Sequence, residues 1–214
     1  MAAPKHLPVT LPFPTPREPV FELLNEVWDR NWLTNQGPVL QEFEAQFAQV
    51  LGLEHVKVVG NGTVALQLAY HALGLKGEVI TAPISYVATA SSLVWERCEP
   101  VFVDVEKATL CIDPAAIEAA ITERTTAIVA THCYGLPCDV EAIGAIAEKH
   151  GLSVIYDAAH AVGTTYRGKS LLGYGDMSTT SLHATKLLHA VEGGAVISAN
   201  ADLDERIFLS LIHI

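Results

Sequence analysis

The chain has 214 residues, half of them hydrophobic. That is enough for one sizeable core and too little for two ordinary domains. Acidic residues number 24 against 13 basic ones, a formal charge of −11. No Lys/Arg run breaks that balance, which disfavours nucleic acid or an anionic membrane as partner. Any anion it binds must be held locally, by backbone N–H groups and a few side chains. The four cysteines, Cys98, Cys111, Cys133 and Cys138, show no CxxC spacing. An isolated His132-Cys133 pair is a poor metal site, so no metal is expected. The thiols read as reduced, and the location as cytoplasmic. The first residues lack a basic-then-apolar signal pattern, and no apolar run approaches the ~18 residues of a membrane span.

Residues 1–16 carry five prolines and predict an extended arm. Amphipathic helices are expected near 17–30 and 38–51, with Pro38 at a helix start. Short apolar strands then alternate with helices. Strands are expected near 55–59, 78–81, 100–103, 126–130, 152–156, 177–181 and 194–198. Helices are expected near 63–74, 86–96, 114–121 and 139–150, and another begins near Asp202. This alternation predicts an α/β fold with a mostly parallel seven-stranded sheet between helices. The link between the last two strands holds Lys186 and Gly193-Gly194 and has no clear helical pattern. A division into an N-terminal arm with helices (1–51) and a large domain (52–208) follows. The last six residues, Leu209-Ser-Leu-Ile-His-Ile214, equal the in-frame translation of CTGTCTCTTATACACATC, a common transposase adapter. Residues 209–214 are therefore expected to be a non-native tail, which resequencing of that end of the gene tests.

Chemistry-bearing residues recur at the ends of successive strands. Asn61-Gly62-Thr63 follows the first strand and opens a helix, whose free N–H groups and positive dipole end suit a phosphate. Gly62 allows close backbone approach and Thr63 adds a hydroxyl, although Thr63 also reads as a plain N-cap. Tyr86, after the second strand, can lie against an aromatic ring or be a core or interface tyrosine. Asp157 ends the apolar run Val154-Ile-Tyr. A buried acid needs a cation or several donors, and an acid capping the adjacent turn is the alternative. Ala158 and Ala159 let a flat ring approach, and His160 can reach a ring hydroxyl. Lys186 follows Asp157 by twenty-nine residues. Ser181 and His183, just before it, can face a phosphate. By itself Lys186 also reads as a surface lysine. An acid and an amine at one sheet edge are the pair that pyridoxal phosphate (PLP) needs, the amine to hold the aldehyde and the acid to keep the pyridine ring protonated.

Together these residues resemble the DegT/DnrJ/EryC1/StrS family of PLP-dependent sugar aminotransferases, over about Leu11–Phe208. Trp32-Leu-Thr-Asn-Gln-Gly-Pro38 is similar to the family's N-terminal segment. The resemblance implies the large domain of PLP fold type I, without the smaller C-terminal domain that completes it. It implies Gly62, Thr63 and Ser181 on the phosphate, Tyr86 on the ring face, Asp157 on the ring nitrogen, His160 near the ring hydroxyl and His183 close to the cofactor. Lys186, with Glu192-Gly-Gly downstream, matches the lysine that carries the cofactor. A branch of the family that replaces this lysine by histidine performs dehydration, which Lys186 argues against.

The implied reaction is ping-pong transamination from an amino acid, by resemblance glutamate, to a nucleotide-linked keto-deoxysugar. The implied setting is surface polysaccharide or glycoside biosynthesis, and the implied working form is a homodimer. Other fold type I enzymes, such as cysteine desulfurases or amino-acid aminotransferases, share the fold, and a non-catalytic regulator on the same fold is a further alternative. A nucleotide-binding dehydrogenase fits poorly, because no GxGxxG follows the first strand.

Overall fold

A computed structural model describes residues 10–212. Residues 10–16 are exposed and form no helix or strand. The rest of the expected arm, residues 1–9, lies outside the described part. Helices α1 (Arg17–Asp29) and α2 (Pro38–Leu51) come first, with Pro38 at the start of α2. Strand β1 (His55–Val59), α3 (Gly62–Leu73), β2 (Glu78–Thr81), α4 (Val87–Trp95) and β3 (Glu99–Phe102) follow. Then come α5 (Pro114–Ala120), β4 (Thr125–Thr131), α6 (Val140–His150) and β5 (Ser153–Asp157). The small pair β6 (Thr165–Tyr166) and β7 (Lys169–Ser170), with β8 (Met177–Ser181), β9 (Gly194–Ser198) and α7 (Ala201–Ile212), ends the order. All seven expected main strands are present within about a residue, and α7 includes residues 209–212 of the expected tail.

Local chemistry explains the element ends. The Asn61 side chain accepts the Val64 N–H at 2.9 Å and starts α3. Gly74 ends it in the left-handed conformation, φ +63°. Asp139 caps α6 in the same way through the Ala142 N–H.

The main sheet has the order β1-β9-β8-β5-β4-β2-β3. Pairings among β3, β2, β4, β5 and β8 are parallel, while β9 is antiparallel to both β8 and β1. Two reversals cancel, so β1 points the same way as β8 and β9 alone opposes the rest. The mostly parallel sheet expected from the alternation is therefore observed.

Burial of both faces follows the pleat. Side chains alternate across a strand, so Val79, Ala127, Val129 and Ile155 pack with α3, α4 and α7 on one face. Ile80, Ile128, Ala130, Val154 and Tyr156 pack with α5 and α6 on the other. Continuous apolar runs are what a doubly covered sheet requires. Helix α2 joins a third cluster through Phe47, beside Val56, Ala195 and Ile197. Helix α1 buries no residue. All four cysteines are free and buried, and among the described residues no helix is long and apolar enough to cross a membrane.

Candidate active site

Strand direction decides where the site falls. β1, β2, β4, β5 and β8 all end at one edge of the sheet, and β9 begins there. The segments leaving that edge carry Asn61, Tyr86, Tyr134, Asp157 and Lys186. They enclose a cavity of about 330 Å³ lined by, among others, Gly62, Thr63, Tyr86, Asp157, His160, Ser181, His183 and Lys186. Every site residue expected from the sequence is thus brought to one cavity.

The turn before α3 forms one wall and packs closely on β8 and β9. Asn61, not Thr63, is the N-cap, and Thr63 is the second helical residue. Because the first N–H groups of a helix have no internal partner, those of Gly62 and Thr63 remain available to an anion. Ser181, the last residue of β8, presses on this turn: a Cβ at Gly62 would lie 3.0 Å from the Ser181 Cβ. A Cβ at Gly194 would strike the Asn61 carbonyl carbon and lie 2.7 Å from the Gly62 nitrogen.

Asp157 forms the floor and is only 4% exposed. Its Oδ1 accepts the Ala159 N–H at 3.1 Å, so turn capping is part of its role. Its Oδ2 accepts the Thr89 hydroxyl at 2.6 Å. Asp157 takes part in none of the ion pairs among the described residues. A buried acid with two neutral donors and no cation suits a cationic partner in the cavity.

The mouth is more open. Tyr86 stands at the N-cap of α4 and is 72% exposed, which removes the core-tyrosine alternative. His160 is exposed and stacks on Tyr134, with ring centroids 5.9 Å apart. Its pKa is pushed below the ordinary value, first by partial desolvation and then by the Lys186 charge, against an opposing pull from Asp157.

Lys186 lies half-buried in the link between β8 and β9. Backbone bonds from Leu182 N–H to Gly193 C=O and from Ala184 N–H to Val191 C=O, both 2.8 Å, close the link on itself. The Lys186 N–H bonds the His183 carbonyl at 2.9 Å. His183 Nδ1 accepts the Thr185 N–H at 3.2 Å, which leaves Nε2 toward Glu192 Oε1 at 3.6 Å. His183 therefore braces the lysine segment as well as lining the cavity.

Sequence reasoning gave no role to Thr89 or Tyr134. Thr89 follows Tyr86 by three positions, close to one turn on the same helix. Tyr134 follows β4, another strand ending at the same edge. The spacing carried a signal for Thr89, whereas the contact of Tyr134 with His160 joins two separate loops.

The DegT/DnrJ/EryC1/StrS aminotransferase family matches residues 15–213. The chain is 48% identical to the dTDP-4-amino-4,6-dideoxy-D-glucose transaminase of Shigella dysenteriae over 199 residues, 93% of this chain and 54% of that protein. The crystal structure of DesI in the presence of its TDP-sugar product superposes with a TM-score of 0.90 at 40% identity, covering 93% of this chain and 52% of that one. NtdA of Bacillus subtilis, with bound cofactor PMP, gives 0.80 at 30% identity over 95% of this chain and 48% of that one. The chain thus spans about half the length of the relatives it matches. These neighbours are PLP-dependent aminotransferases of fold type I. This chain belongs to the DegT/DnrJ/EryC1/StrS aminotransferase family, whose aminotransferases are PLP-dependent.

Proposed function

We propose that this chain carries the cofactor-binding part of a PLP-dependent transaminase. It would move an amino group from an amino acid, glutamate by family resemblance, to a nucleotide-linked keto-deoxysugar for polysaccharide or glycoside synthesis. The observation that carries the reading is Asp157: a 4% exposed carboxylate with neutral donors only, on the floor of the cavity that Lys186 also lines. The relatives' dTDP-sugar chemistry supports the substrate class.

When bound, PLP supplies a protonated ring that draws off the electron pair left when a proton departs from the substrate's α-carbon. The residues divide the remaining work. Gly62 and Thr63 N–H groups, with the Ser181 hydroxyl, would hold the phosphate. Tyr86 would lie against the ring, His160 would reach its hydroxyl, and Asp157 would keep the ring nitrogen protonated. Lys186 would anchor the aldehyde carbon until the donor's amine takes its place, and the amine so freed would carry the proton from the substrate Cα. Depression of the His160 pKa favours a neutral imidazole, which can donate or accept toward the ring oxygen without adding charge. Residues outside this chain complete the sugar site, and the full-length protein works as a homodimer. Sedimentation of that protein tests the second point.

The direct test is borohydride reduction of the PLP-loaded protein, followed by peptide mapping. A phosphopyridoxyl group on Lys186, together with glutamate-dependent amination of a dTDP-4-keto-6-deoxysugar by the full-length enzyme, is expected. Unmodified Lys186 in folded, PLP-saturated protein would refute the reading.

A further inference from the structure

We infer that Thr89 is a positioning residue that sets the plane of the Asp157 carboxylate against the cofactor ring; this rests on the PLP reading of the site. Thr89 lies in α4, is fully buried (0% exposed), and donates its hydroxyl to Asp157 Oδ2 at 2.6 Å. The opposite oxygen, Oδ1, is held at 3.1 Å by the Ala159 N–H, from the turn after β5. Once the strand and the staggered Cα–Cβ rotamer are set, a carboxylate has one soft rotation left, about Cβ–Cγ. Two donors from separate elements, one on each oxygen, remove it. The lone pairs they leave free are then fixed in direction, which a single donor would not achieve.

Thr89 is itself held. Its backbone carbonyl accepts the hydroxyl of Tyr70 at 3.2 Å, and Tyr70, on α3, is 0% exposed. Burial, and then the nearby Asp157, push the Tyr70 pKa well above its ordinary value, so it remains a neutral donor. One connected path therefore joins α3, whose start offers N–H groups to a phosphate, through α4 to the acid on β5. Tyr86 and Thr89 also share the first turn of α4, with the Thr89 N–H bonded to the Tyr86 carbonyl at 3.1 Å. The residue on the ring face and the residue that aims the acid at the ring edge thus move as one unit. Preorganisation of this kind matters where charge is concentrated in a transition state. The hydroxyl is the part of Thr89 that does it, while the methyl only fills space.

The test compares Thr89→Val, which keeps the shape and removes the donor, with Thr89→Ser, which keeps the donor. Both are measured in the full-length, PLP-loaded protein. Three results are expected of Thr89→Val. PLP dissociation becomes about tenfold easier, the scale for losing a hydrogen bond to a charged group. Turnover falls about tenfold while KM for the amino donor changes by less than about twofold, because the loss is in the transition state. The pH midpoint of the bound chromophore's visible absorbance rises, because a less firmly protonated ring withdraws less charge. Thr89→Ser should return all three to within about twofold of the parent.

In an Asp157→Asn background, Thr89→Val should add less than about twofold, since the two act as one pair. Should the valine variant not fold, Thr89→Ala read against Thr89→Ser gives the same contrast. A parent that takes up PLP and a valine variant that matches it in affinity, turnover and spectrum would overturn this inference alone. A parent that takes up no PLP would overturn the functional reading and this inference with it.

Discussion

The floor and the roof of the cavity are built by opposite rules. Asp157, Ala158, Thr179 and Thr180, together with Thr89 behind them, are buried among strands and one helix. The roof, 183–192, is a self-closed link in which Leu187 and Val191 are 86% and 69% exposed. In the proposed roles the acid has to stay still, and its neighbours hold both of its oxygens. The amine has to travel between two carbon atoms, and it sits on a segment braced mainly by its own backbone and by His183. Burial therefore sorts the two groups by what each must do. It follows that floor substitutions should be visible in the stability of the cofactor-free protein, and roof substitutions in chemistry with little change in that stability.

Lys186→Ala attacks the roof and should have the largest effect. Removing the proposed covalent anchor and proton carrier should lower transamination by about 10⁴-fold, or more. The melting temperature of the protein without cofactor should stay within about 1 °C, as for a surface change. A large drop in melting temperature would break the contrast.

The next effect lies beside the floor. His132 is fully buried against Tyr156, with ring centroids 4.6 Å apart, and its Nδ1 accepts the Cys138 N–H at 3.1 Å. Burial pushes its pKa down to about 4. Because the folded value lies below the unfolded one, the unfolded chain binds the proton more readily. Stability is then complete above about pH 6.5 and falls as the pH drops from there toward 4, by up to about 3 kcal/mol. His132→Asn keeps an acceptor for Cys138 and removes the titration, so denaturant midpoints between pH 6.5 and 4 should flatten. An unchanged slope would assign the acid sensitivity elsewhere.

Gly194→Ala works where floor and roof meet. Its new methyl would collide with the Asn61–Gly62 backbone, and overpacking against main chain should cost about 2 kcal/mol. Weaker PLP binding should accompany the loss, measured by equilibrium dialysis beside urea unfolding. Ser181→Ala is the smallest change. It should weaken PLP binding about tenfold and leave stability within about 0.5 kcal/mol. Equal affinity would remove Ser181 from the phosphate site.

The sequence shows most of this because the fold is punctuated by simple rules. Apolar runs such as Ala127–Ala130 and Val154–Tyr156 have no polar face to show, so a doubly covered sheet is the one consistent reading. Asp157 stood out because an acid ending such a run is costly without a partner, and Lys186 because it follows a later strand of the same alternating series. What stayed hidden needed three dimensions. The two-residue strands β6 and β7 are too short to leave a period. The reversal of β9 was present only as the missing helix before it, since parallel neighbours require a long crossover. Asn61 replaced Thr63 as the cap because a residue's backbone angles, and not only its hydroxyl, decide which side chain closes a helix end. The exposed mouth pair Tyr134–His160 crosses between two separate loops, which linear spacing does not reveal. The proposed non-native tail at 209–214 is a question about the gene, and resequencing answers it.

The placement of β9 sets an order on how the protein can be made. Among the described residues β1 bonds to no strand but β9, and 134 residues of chain separate Val59 from Gly194. A growing chain therefore presents its first strand, and the proposed anion-binding turn that follows it, long before β9 exists to pair with it. Contacts this distant in sequence slow folding, and an unpaired strand edge invites association with other chains. Assembly of the candidate pocket thus waits on synthesis reaching Ser198.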